Sequence, residues 1–126
     1  MSPQKPPQRN PRFARISPAA EESQSALSDA ARDVLAERRR QQEVEGWTPE
    51  HDDPYKNGEL ARAAACYAIC SVYGHFKSNA PAGWPWAKIW WKPTDSRRDL
   101  VKAAALIMAE IERLDRITAK KSGEQS

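Results

Sequence analysis

The chain is short of cysteine and has no long apolar run, and each shortage excludes something. Two cysteines, Cys66 and Cys70, in 126 residues cannot build the disulfide framework of a small secreted domain. The N-terminus lacks the continuous apolar core of a signal peptide. Nowhere does the chain reach the roughly 18 apolar residues of a membrane span. A cytoplasmic protein with reduced thiols and no membrane partner is expected. Cys66 and Cys70 stand four apart, on one face of a helix. With no second Cys pair and no His-x₃-His, they read as buried apolar thiols rather than metal ligands. No run alternates with period two, which leaves no strand to expect. No internal repeat appears. Neither cysteine lies in a nucleophile-elbow or protease-like context, so no catalytic residue, metal or cofactor is expected.

Basic charge is also missing from the body of the chain. The net charge of +3 belongs to its ends. Residues 21–116 hold 14 Lys and Arg against 16 Asp and Glu, a net of −2. A protein that grips duplex nucleic acid needs a basic excess inside its fold, so nucleic acid is not an expected partner. Five of the ten prolines fall within the first 18 residues, with Lys5, Arg9, Arg12 and Arg15 and no acid before Glu21. Residues 1–22 therefore read as a basic, proline-rich, disordered arm, 23–118 as one helical domain, and 119–126 as a frayed polar tail.

Helical periodicity is what the chain does have. Leu27, Ala30, Ala31, Val34 and Leu35 place a first helix over about 25–45, which Gly46 ends. The run from Glu37 through Arg38, Arg39 and Arg40 to Glu43 reads as its solvated face with Glu–Arg pairs. A second helix begins near Asn57, a plausible N-cap, and buries Leu60, Ala63, Ala64, Tyr67, Ala68 and Cys70 or Ser71 before breaking near Gly74. A third is capped by Thr94 or Asp95. Its apolar stripe is Leu100, Ala104, Ile107, Ile111, Leu114 and Thr118, widened by Val101 and Met108. It runs to about Arg116, with Glu112 and Arg116 as an outer i,i+4 pair. The expected fold is all-α: a small three-helix bundle with two long ordered loops.

Those loops hold the chemistry. One runs from Gly46 to Gly58 and carries Trp47, His51, Asp52, Asp53 and Tyr55. The other holds four of the five tryptophans, Trp84, Trp86, Trp90 and Trp91, in eight residues stiffened by Pro85 and Pro93. Such a loop is either the plug of a helical core or a stacking surface for a planar ligand. A nucleotide-type pocket needs planes, polar edges and cations. Trp47, Tyr55 and the Trp84–Trp91 cluster, with Trp86 and Trp90, offer planes; His51, Asp52, Asp53 and Asn57 offer edges. Lys92, Arg97, Arg98 and Lys102 offer charge beside the N-terminus of the last helix, where backbone N–H groups also favour anions. A Mg²⁺ site of the all-α pyrophosphohydrolase kind would need paired acids on facing helices. Glu112 and Asp115 on the last helix have such spacing, but the second helix offers only Glu59, so that pattern is incomplete.

Several stretches resemble a family of small accessory proteins encoded by phages and prophages. They are Asp33 to Asp53, Gly58-Glu59-Leu60-Ala61, Trp84-Pro85-Trp86, Trp90-Trp91-Lys92-Pro93, Leu100 to Ala103 and Ala109 to Arg116; the resemblance covers about residues 30–118. Glu37-Arg38, Gly46-Trp47, Asp52-Asp53 and Asp95 to Arg98 are also similar in order to the ryanodine-receptor repeat domain, which has no counterpart of residues 74–93. The two resemblances imply a nucleotide-like small-molecule partner and an anti-defence role: sequestering a host immune signalling nucleotide in the bacterial cytoplasm. The alternatives are a Mg²⁺-dependent nucleotide pyrophosphohydrolase and a protein inhibitor of a host defence protein. A short core with this many indoles also leads us to expect a homo-oligomer.

Overall fold

The computed structural model describes residues 26–125. The expected arm at 1–22 lies outside them. The chain divides into a segment ending at Arg32 and a compact unit, Asp33–Ser126. The fold is all-α, with no strand among the described residues. Its helices are α1 (Asp29–Glu43), the single turn α2 (Pro49–Asp52), α3 (Glu59–Val72) and α4 (Ser96–Gln125). Short 3₁₀ turns at Gly74–Lys77 and Lys88–Trp90 punctuate the long loop between α3 and α4.

Each boundary has a local cause. Ser28 Oγ accepts the Ala31 N–H at 3.0 Å, a serine cap on α1. After α1, Gly46 turns the chain at φ +76°, and the Trp47 N–H donates to the Gln41 carbonyl at 2.8 Å. Pro49 opens α2, where its missing N–H costs nothing. The N-cap of α3 is Gly58, at φ +78°, rather than Asn57, because only glycine takes that left-handed backbone freely. The Asn57 N–H instead donates to Glu59 Oε1 at 2.9 Å. Asp95 caps α4, its Oδ1 accepting the Arg98 N–H at 2.9 Å. The helix extends past residue 118 to Gln125.

The core is the contact of α3 with α4. Leu60, Ala63, Ala64 and Tyr67 meet Ala103, Leu106 and Ala109, all buried. Alanine on both helices lets them approach closely. This reverses the expected orientation of α4. Leu100, Ile107, Ile111 and Leu114 are 48–52% exposed, whereas Val101, Ala103, Ala105, Leu106 and Ala109 are buried. The helix has two apolar faces, and the smaller side chains won the inner one because they fit a close neighbour.

Helix α1 is reversed too. Its charged run is the buried part: Glu37, Arg38 and Gln41 are 1–4% exposed, while Leu35 is 39% exposed. Arg38 bridges Asp52 Oδ2 at 3.2 Å and Glu112 Oε1 at 2.9 Å and donates to the Trp47 carbonyl at 3.4 Å. Glu37 is gripped by Arg40 at 2.9 Å and by Arg98. Glu112 therefore pairs with Arg38 and not with Arg116, which reaches Asp53 at 2.8 Å. A charge run can be buried when every member finds its opposite.

Two outcomes follow. Arg38→Ala leaves the Asp52 carboxylate buried without its cation and is expected to lower unfolding stability by about 3–5 kcal/mol in urea titration; Asp115→Ala, on the exposed side of α4, should change it by less than about 0.5 kcal/mol. Burial pushes the Glu37 carboxyl up, but the hydrogen bond and charge of Arg40, the charge of Arg98 and the Gln41 amide outweigh it and hold the group below 4.5. A carboxyl so depressed stabilises the fold above its unfolded value and loses that contribution as pH falls through its folded value. Stability measured from about pH 5 down to pH 3 should therefore drop less steeply in Glu37→Gln than in the parent chain.

Candidate functional site

The loop between α3 and α4 is fastened at several points. The Trp91 Nε1–H donates to the Phe76 carbonyl at 2.8 Å and the Trp84 Nε1–H to the Ala87 carbonyl at 3.1 Å. The Lys92 N–H donates to the Tyr67 hydroxyl at 3.2 Å. Arg62, on α3, reaches the Gly83 and Asn57 carbonyls at 3.3 and 3.1 Å and so ties both loops to one helix. Trp84, Trp86 and Trp91 pack on the helical core, as do Trp47 and Tyr55. Trp90 alone of the four clustered indoles stays largely outside, 56% exposed. Three of the loop's indoles thus plug the core, and the fourth lies largely outside it.

Ring contacts run on without a break. Trp47 stacks on His51 at 5.9 Å and 10° between planes. Trp86 lies 6.2 Å from Trp47, 5.5 Å from Tyr55 and 5.4 Å from Trp84. Trp84 meets Tyr67 and Trp91 edge-on at 5.7 and 4.9 Å. Such tilted and edge-to-face pairs are the favoured aromatic geometries.

Between these rings opens a cavity of about 500 Å³, walled by Val44, Glu45, Trp47, His51, Tyr55, Tyr67, Trp84, Trp86, Ala87 and Trp90. That is the size of a small-ligand site. Its polar groups are few. Asp52 Oδ1 accepts from His51 Nδ1 at 3.1 Å, which orients the ring and leaves Nε2 near the Tyr55 hydroxyl at 3.5 Å. Burial, then the Asp52 and Glu59 charges, push the Tyr55 phenol up. Burial pushes Tyr67 up to about 12, with Asp99 adding to the shift and the Lys92 N–H opposing it. Both hydroxyls therefore stay protonated at neutral pH. Trp86 Nε1 is buried with no partner. Glu45 carries the acid of the wall and is held by Arg40 at 2.9 Å. Among the described residues, no Lys or Arg lines the cavity.

Of the residues singled out from sequence, Trp47, His51, Tyr55, Trp86 and Trp90 meet around this cavity. Asp52 sits beneath it, wholly buried, holding Arg38 and His51. Lys92 stands at the rim, its ammonium 5.7 Å from the centre of the Trp90 ring. The others are engaged elsewhere: Asp53 with Arg116, Arg97 with Asp33 at 2.8 Å, and Arg98 with Glu37. Lys102 donates to the Lys92 carbonyl at 2.6 Å and lies 5.5 Å from the Tyr67 ring centre. Tyr67 and Glu45 are walls that the sequence reading passed over. Tyr67 carries a polar tip on a helix face otherwise made of small apolar residues, and that was the available signal. Among the described residues, no group of three or more His, Cys, Asp or Glu side chains is placed to hold a metal, and no helix is long and apolar enough to cross a membrane.

Comparison with protein-family models, with curated proteins and with solved structures returns no match.

The cysteines take no part in the cavity. Both are free and buried on α3. Burial pushes both thiols up; Asp99 adds to this at Cys70, and Arg62 works against it at Cys66. A thiol reagent at about pH 8 is expected to label neither in the folded protein and both in denaturant, as read by mass spectrometry.

Proposed function

We propose that this chain is a phage-type accessory protein that takes the base of a nucleotide-derived ligand into the aromatic cavity and holds it without turnover, sequestering a host immune signal. The observation that carries the reading is the convergence of six aromatic side chains, Trp47, Tyr55, Tyr67, Trp84, Trp86 and Trp90, on one cavity of about 500 Å³. Indole faces favour planar bases. The unpartnered Trp86 Nε1–H and the His51–Tyr55 pair are donors and acceptors suited to a base edge.

A wall without Lys or Arg suits the base and not the phosphate. In this reading the phosphate stays at the rim, near Lys92 beside Trp90. Arg97, Arg98 and Lys102 lie outside the cavity wall. The oligomer and the host partner are further parts of the same proposal.

The test is equilibrium dialysis against a panel of nucleotides and cyclic nucleotides, then heat release and chromatography. Intact ligand is the expected recovery. Recovery of products would replace sequestration with hydrolysis, and failure to retain any member would remove the reading. Trp90→Ala is the cleaner variant, because that ring is 56% exposed. It should leave the melting temperature within a few degrees. Affinity should fall by about fivefold to a hundredfold, the worth of one base–indole stack.

A further inference from the structure

The outer face of α4 has no occupant among the described residues. Leu100, Ala104, Ile107, Ile111, Leu114 and Thr118 follow alternating steps of four and three. At about 100° per residue they fall within about 80° of arc, centred about 120° round the helix from Ala103, Leu106 and Ala109, which meet α3. Leu100, Ile107, Ile111 and Leu114 are 48–52% exposed, and Ile117 beside them 38%. An apolar strip about 21 Å long from Leu100 to Leu114, repeating every 3.5 residues, is the seam of a coiled coil. A helix that is apolar on both sides is otherwise an interior helix.

We propose that a second copy of this chain covers the strip, α4 against α4, antiparallel about a two-fold axis. Two features of the strip select this occupant and this direction. The first is charge. The antiparallel register brings Arg97, 60% exposed even while it holds Asp33 of its own chain, against the exposed Asp115 of the second copy, and by symmetry does so twice. The second is size. In that register Ala104 lies against Ile107 of the second copy and Leu100 against Ile111, small against large at the seam's centre. A parallel seam would set Ala104 on Ala104 and leave a gap. The face is self-complementary, as a two-fold interface requires.

A single two-helix seam hides less than the roughly 800 Å² per partner of a standard interface. The dimer is therefore expected to be reversible, with a dissociation constant in the micromolar range.

Sedimentation equilibrium of the full chain, from about 1 to 500 µM, tests this. A monomer–dimer equilibrium is expected; a monomer throughout overturns the proposal and leaves the strip to a different partner. Ile107→Asp with Ile111→Asp should raise the dissociation constant by at least about a hundredfold with circular dichroism and melting temperature nearly unchanged, since both side chains are half outside already. A dimer that survives this pair uses another surface, and the proposal falls. Arg97→Asp and Asp115→Arg should each weaken the dimer and together restore it. Failure of the exchange to restore it overturns the antiparallel register. Cys66 and Cys70 are buried, so an added Ala104→Cys gives an independent reading. Ready self-crosslinking of that variant means a parallel seam and contradicts the proposal; crosslinking only when Ile107→Cys is also present supports it.

Discussion

The architecture hangs on Arg38. One guanidinium from α1 reaches Asp52 on α2, Glu112 on α4 and the Trp47 carbonyl in the loop between α1 and α2. Those three groups come from α2, α4 and the loop between α1 and α2. The α3–α4 contact builds a core on its own, but nothing apolar of comparable extent draws α1 to it. Charge does that instead, through Arg38 and the Glu37–Arg98 pair. Such an anchor differs in kind from an oily one. It demands a fixed geometry, because a buried ion slightly out of place costs more than a buried methyl slightly out of place. The aromatic cavity benefits directly. Trp47 and His51 stand on the short span between Arg38 and its Asp52 partner, so the same ions that close the fold set two of the cavity's rings.

Periodicity made the helices legible: three long helices, their order, the loops and the Asp95 cap all follow from the spacing of apolar residues and the placement of glycine. It did not reveal which side of a helix faces in. On α4 both faces repeat with helical spacing, and the face with larger side chains reads as the stronger stripe. The inner face was settled by α3, whose alanines reward a close neighbour, and this is information from another part of the chain. On α1 the error was one of chemistry. Glu37, Arg38, Arg40 and Gln41 look like a solvated face unless their partners, Asp52, Arg98 and Glu112, are known to arrive from elsewhere. Asn57 and Gly58 show the same limit at a single position, where backbone conformation decides between two adjacent residues.

At the site, residue types were easier to read than their meeting. Aromatic rings from 47, 55, 86 and 90 do converge, because large plates exclude water best when they share a boundary. The basic residues at the head of α4 also looked available. Arg97 and Arg98 in fact answer acids of α1, and Lys102 caps a loop carbonyl. An acid run that reads as surface conceals the very partners that occupy those cations.

The unbroken ring contacts also give the molecule an optical character. Indoles held as close as Trp84 is to Trp86 and Trp91, 5.4 and 4.9 Å, pass excitation among themselves faster than they emit. Trp47 and Trp86 extend this relay to the mouth of the cavity. Light absorbed by one member is therefore shared by the set, and a quencher resting on a single wall darkens most of the protein's ultraviolet emission. The protein's ultraviolet emission is thus a property of the connected indoles together.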